Sequence, residues 1–228
     1  MKEQGESLAE LAQFRQAAYR LFAAALLYPD EERRTTLALV ARILRVQSDT
    51  LAAFPFFGHW QQLLDTLQEL ITGEITGIEE TYVHLFLLAD GDGALCPPYE
   101  SFFLASGEQA TGHIGIAVQL TQEYAAAGLA PASGEVPDHA AVELEFMAFL
   151  CGQEVQAWKE NALEHGFQAW ESQCTFLSRH LGRWCPLLAR RVSELAPESF
   201  YHVIVAAVDA FIHHDLDLVN LLVKEMQT

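Results

Sequence analysis

The chain has 228 residues, 51% of them hydrophobic, with 31 Asp and Glu against 13 Lys and Arg and a net charge of −18. That length holds one domain with a sizeable core. A field of that sign repels nucleic acid and anionic lipid and draws in cationic segments, while also keeping an apolar chain dispersed in water.

The first residues, Met1 to Glu6, are polar and acidic, and no cleavable apolar region follows them. The apolar run 21–28 is too short to span a bilayer. A soluble, cytoplasmic protein with reduced thiols is expected. Cys96, Cys151, Cys174 and Cys185 are unevenly spaced with no Cys-x-x-Cys pair, so they read as small apolar core residues.

Helical periodicity dominates. Ser7-Leu8-Ala9-Glu10 has a capping-box pattern and predicts a first helix with Leu8, Leu11, Ala12, Ala18, Tyr19 and Phe22 near one face, ended by Pro29. Asp30 can cap a second helix reaching residue 46. A Pro-broken aromatic stretch, Phe54-Pro55-Phe56-Phe57, leads to a third helix over 59–70, stopped by Gly73. Thr76-Gly77-Ile78-Glu79 is a second capping box, and its helix carries Tyr82, Leu85 and Phe86.

Residues 89–98 contain Gly91, Gly93 and two prolines and read as a loop, followed by a turn at 99–104. A helix over 111–127 is ended by Gly128, and 129–137 forms a second loop. The pattern then predicts a long apolar helix from Asp138 to about His165 with Gly166 at C′. Helices at 167–181, 186–195, 199–213 and 215–226 follow. No stretch alternates with period two, so the chain reads as an all-α, single-domain bundle of about ten helices spanning 1–228.

Two stretches place polar groups beside apolar ones. In the first, Pro97-Pro98 forces an extended approach to Tyr99, Glu100 and Ser101. In the second, Pro137 precedes Asp138, an N-cap residue type, and His139 lies four before Glu143, which lets the two pair. Glu143 and Glu145 sit about 200° apart around a helix that is apolar on every side, so at least one must be dehydrated. Cap and pair alone account for this pattern. So does a cleft with an apolar floor and an acidic rim, suited to a peptide carrying both apolar and basic residues.

Enzyme and metal motifs are lacking. There is no Glu-x-x-His pair, His-Glu-x-x-His, Gly-x-Ser-x-Gly or phosphate loop. Glu80/His84, Glu198/His202 and Asp209/His213 are four apart and read as solvated helix pairs, and 213–215 as a turn or helix terminus. No catalytic residue, metal ligand or cofactor is assigned.

Tyr82-Val83-His84-Leu85-Phe86, Pro98-Tyr99-Glu100-Ser101, Pro137-Asp138-His139 and Glu143-Leu144-Glu145-Phe146-Met147, followed by Phe176 to Leu181, Trp184 and Phe200-Tyr201, occur in that order. Together they resemble the TorD/DmsD/NarJ family of redox-enzyme maturation chaperones, the TorD/DmsD branch above all. The resemblance implies a cytoplasmic, non-enzymatic chaperone that binds the twin-arginine signal peptide and the apo catalytic subunit of a molybdopterin oxidoreductase. Such a chaperone delays export until the cofactor is in place. It further implies peptide recognition by Asp138, His139, Tyr99, Glu100 and Ser101, with Pro137, Glu143, Leu85 and Phe86 completing the set. Ala140 stands where a leucine commonly follows the histidine, which reshapes the groove floor. A permanent adaptor subunit, or a chaperone of a membrane-bound nitrate-reductase-like enzyme, are the alternatives. A weak guanine-nucleotide contact, a transient membrane or translocon contact, and a monomer or a dimer all stay open.

Overall fold

A computed structural model describes residues 2–46, 48–72, 77–87, 95–105, 110–132 and 134–226. Gly73 as a stop, Thr76 as a cap and loop residues 89–94 lie outside them. Ten α-helices are present among the described residues: α1 (Lys2–Ala25), α2 (Glu31–Val46), α3 (Phe57–Thr72), α4 (Ile78–Tyr82), α5 (Glu100–Leu104), α6 (Ala110–Ala126), α7 (Ala140–Lys159), α8 (Leu163–Arg179), α9 (Leu181–Leu195) and α10 (Phe200–Met226). A π-helical turn, Val83–Leu87, extends α4. No helix among the described residues is long and apolar enough to cross a membrane.

The central element is α7. Its buried residues, from Ala140 and Ala141 through Leu144, Met147 and Cys151 to Trp158, cover most of the helix, but one stripe, Glu145, Gln153 and Gln156 with half-buried Phe149 and Gly152, reaches the surface, so the helix is not enclosed on every side as its apolar sequence suggests. Alongside it, α1 packs Ala12, Arg15, Ala18, Tyr19 and Phe22 inward. Phe211 of α10 meets Tyr19, Phe22 and Phe56 edge-on at 5.3, 5.3 and 5.1 Å, joining α1, α10 and the approach to α3 in one aromatic core.

Several helix ends differ from the sequence expectation, each for a local reason. Nothing breaks the helix before Ser7, so α1 starts at Lys2 and Ser7 is interior rather than a cap. Asp30 caps α2 as expected, its Oδ1 accepting from Arg33 N at 2.8 Å. The fourth helix opens on Gly77, left-handed at φ 71°, with no side-chain cap. Gly128 (φ 79°) ends α6, where the Leu129 N–H reaches the Tyr124 carbonyl.

The long helix stops at Lys159, not near His165. Asn161 takes the left-handed position (φ 54°) and Ala162 N–H bonds back to Ala157 O, which closes the helix six residues early. Gly166 is therefore not a C′ residue. It lies inside α8, where a Cβ would stand 2.5 Å from the Trp158 ring. The expected break at 213–215 is also absent: α10 is continuous, because His214 packs on Phe54 and Phe56 and Asp215 finds buried partners. Similarly α9 begins five residues ahead of Pro186.

Candidate functional site

Pro97 and Pro98 hold the chain extended into Tyr99, and Tyr99 forms an isolated antiparallel bridge with His139. Ala140 N–H donates to Pro98 O at 2.8 Å and Glu100 N–H to Asp138 O at 2.9 Å. The N-termini of α5 and α7 are thus joined side by side, and the Tyr99 and His139 rings meet edge-on at 5.2 Å. The two stretches singled out in the sequence form one structure.

Their caps are crossed. Asp138, 2% exposed, does not cap its own helix; its Oδ2 accepts from Ser101 N–H of α5 at 3.1 Å. The N-cap of α7 is His139, whose Nδ1 accepts from Ala141 N–H at 3.1 Å. That acceptor role requires a neutral imidazole. Burial holds the His139 pKa below its ordinary value, an effect partly offset by Asp138 and Glu135. The expected His139–Glu143 side-chain pair does not form, because Glu143 turns inward.

Beneath the bridge lies a sealed polar cluster. Glu100 Oε2 is 2.7 Å from His180 Nδ1, Glu143 Oε2 accepts from Trp184 Nε1 at 3.1 Å, and His180 Nε2 is 3.3 Å from Glu123 Oε2. Burial, reinforced by the Glu100 charge, pushes the Glu143 carboxyl well above the usual range despite the Trp184 hydrogen bond. Burial pulls His180 down, but its bond to Glu100 and the charges of Glu100 and Glu123 outweigh this, so its pKa is raised. His180 is also the joint between α8 and α9.

Of the nine residues expected in the site, Tyr99, His139 and Pro137 are half-buried, while Asp138, Glu100, Ser101 and Glu143 are enclosed. Leu85 and Phe86 are core residues of the π turn; Phe86 packs on Tyr82 and Tyr201. Glu145 emerges on the other side of α7 from Glu143, as the 200° separation demands. It borders two adjoining grooves. One, about 340 Å³, runs from Leu129, Pro131 and Ala132 along Val142, Phe146 and Phe149, with Glu135 on its rim. The other, about 610 Å³, continues between α1 and α7 past Gln16, Arg20 and Gly152. Burial and the nearby Glu135 raise the Glu145 pKa, and Arg20 offsets part of the shift.

A second buried polar network was missed in the sequence. Arg15 of α1, 1% exposed, donates Nε and Nη2 to Asp215 (2.5 and 3.0 Å), Nη1 to Glu154 (2.7 Å) and Nη2 to Gln173 (2.5 Å). Tyr19, Trp158, Trp170 and Gln173 supply the remaining donors to the two carboxylates. One signal was available: Arg15 stands three after Ala12 and four before Tyr19, on the apolar stripe of α1.

The model of the nitrate reductase delta subunit family matches residues 55–190, which include Tyr99, Glu100, Asp138, His139, Glu143 and His180. The chain belongs to this family, that of the TorD/DmsD/NarJ chaperones. Chaperone protein TorD of Vibrio cholerae is 28% identical over 172 residues, 73% of each chain. The selenate reductase assembly chaperone protein of Thauera selenatis is 30% identical over 153 residues, 65% of this chain and 74% of the relative. The chlorate reductase assembly chaperone protein of Ideonella dechloratans is 30% identical over 152 residues with the same coverage. These members of the TorD/DmsD/NarJ family are assembly chaperones, not enzymes. A solved chain from Archaeoglobus fulgidus, a candidate redox enzyme maturation protein, shares the fold at TM-score 0.54 and 19% identity, over 87% of this chain and 93% of its own. Arg15 and Asp215 lie outside the matched span.

Proposed function

We propose that this protein is the maturation chaperone of a molybdopterin oxidoreductase. It binds the twin-arginine signal peptide and the apo catalytic subunit and delays export until the cofactor is inserted. The observation that carries this reading is the pair of grooves along α7. They offer an apolar floor of Val142, Phe146 and Phe149 under an acidic rim of Glu135 and Glu145. A leader of this type has a basic start and an apolar middle, and both find a counterpart there.

The residues divide their work in this reading. His139, Tyr99 and Pro137, half-buried at the bridge and outside the groove linings, touch the peptide at its end. Asp138, Glu100, Ser101 and Glu143 hold the two helix starts together, and Leu85 and Phe86 support them from within. Exposed arginine–carboxylate pairs contribute about 0.2–1 kcal/mol each, so the apolar segment carries most of the affinity. After the cost of ordering the peptide, binding of about 8 kcal/mol, micromolar, is expected. An exposed apolar stripe on α2, Leu39, Ile43 and Val46, suits the enzyme body as a separate surface.

Titration calorimetry with a synthetic Arg-Arg leader tests the proposal. Glu135→Gln/Glu145→Gln is expected to weaken binding about five- to tenfold, with a flatter salt dependence. His139→Ala should weaken it with the fold intact. Unaltered affinity in both variants, or no binding by the wild type, overturns the reading.

A further inference from the structure

We propose that Glu100, Glu143 and His180 form a binding site for one first-row divalent cation. The ligands come from three separate places, the first turn of α5, the first turn of α7 and the α8–α9 joint, and one donor atom of each lies within 4.8 Å of the others. No spacing rule reads such a site from the chain. Two carboxylates and an imidazole make a nitrogen-and-oxygen donor set suited to Zn²⁺ or Mn²⁺. Once their protons leave to solvent the two carboxylates carry two negative charges, which a divalent cation balances.

A second observation points to a ligand independently of the cluster's composition. Glu143 is 0% exposed, yet its Oε1 has no hydrogen-bond partner among the described residues. Ionised, that oxygen lacks a donor; protonated, it lacks an acceptor. Buried polar atoms left in this condition are costly and rare. A cation coordinated at the centre of the cluster gives it the missing partner.

The outer contacts also fit. His180 turns Nδ1 toward Glu100, and its Nε2 lies 3.3 Å from Glu123 Oε2 of α6. That separation is an ion-pair distance without hydrogen-bond geometry, so Glu123 acts on the imidazole through its charge. The binding step is an exchange: the cation enters, and the proton between His180 Nδ1 and Glu100, with any proton on Glu143, leaves to solvent. No electrons move. The bound ion would clamp α5 and the α8–α9 joint onto α7 beneath the Tyr99–His139 bridge. Glu143 points away from the Glu145 grooves, so this site and the peptide site stand or fall separately.

The test uses the full chain, grown with Zn²⁺ and passed into metal-free buffer. Metal content should approach one Zn²⁺ per chain. After chelation, competition against a chromophoric chelator should return one tight site, with proton release measured across buffers. Glu143→Gln and His180→Gln should each weaken Zn²⁺ at least a hundredfold while circular dichroism is retained. Glu123→Gln, outside the donor set, removes one nearby negative charge and should weaken it by less than Glu143→Gln does. His213→Ala, at an exposed histidine, should leave it unchanged. Less than a tenth of an equivalent in the wild type, or Zn²⁺ binding retained in a folded Glu143→Gln or His180→Gln, overturns the proposal. Should Glu143→Gln fail to fold, the His180→Gln and His213→Ala comparison decides alone.

Discussion

Replacing Arg15 by Met removes the only guanidinium in the buried network that joins α1, α7, α8 and α10. Asp215 loses two donors and Glu154 one, and both carboxylates stay about 1% exposed. The Tyr19, Trp158, Trp170 and Gln173 donors remain, but none carries charge. Breaking a buried ion pair from one side costs about 3–5 kcal/mol, because the desolvated partners are left uncompensated. With a urea slope near 3 kcal/mol/M for a chain of this size, the unfolding midpoint should fall by about 1–1.7 M. The companion variant Arg15→Met/Glu154→Gln/Asp215→Asn removes the charges on both sides and should recover most of the loss. Urea unfolding followed by tryptophan fluorescence measures both. A single-variant loss below about 1 kcal/mol, or a triple variant no more stable than the single, would refute the assignment of this network as a charge-balanced staple.

Acid should weaken the α7 cap. Because the folded-state pKa of His139 is lowered, the unfolded chain binds more protons; the cap's contribution of about 1 kcal/mol is present above roughly pH 6.5 and lost as pH falls toward the folded value. His180 acts with the opposite sign, its raised pKa giving stability that is present below about 6.5 and lost as pH rises. Comparing wild type with His139→Asn, which keeps an acceptor without titrating, isolates the first effect, and parallel urea-midpoint profiles would contradict it. Asp138→Ala should cost about 0.5–2 kcal/mol and speed amide exchange at Ser101, which loses its acceptor. Gly166→Ala gains helix propensity of up to about 1 kcal/mol but forces the Trp158 ring, held by Glu154 and Trp170, to move at about 1–3 kcal/mol. A net destabilisation with shifted tryptophan emission is expected, and a more stable variant would show that the ring yields freely.

Much of the architecture was legible in the sequence. The all-α class followed from periodicity. The opposed fates of Glu143 and Glu145 followed from helix geometry, and the two polar stretches do meet. Competition between similar local signals hid the rest. Asn161 and Gly166 both suit a helix end, and only the Trp158 ring shows that Gly166 serves a close approach instead. Asp138 and His139 both accept from backbone amides, and neither residue alone reveals that the aspartate serves its neighbour. Arg15, Glu154 and Asp215 find one another across 139 and 200 positions, a separation that no window along the chain spans. His213 to Asp215 looked like a break because tertiary partners, not propensity, keep α10 continuous there.

The crossed caps make α5 and α7 a single latch. Asp138 ties off the first turn of a helix to which it does not belong, so neither start can fray while the other stays shut. Whatever opens one, be it heat or acid, must release the segments at 98–101 and 138–141 together. The two helix starts thus hold or open as one unit.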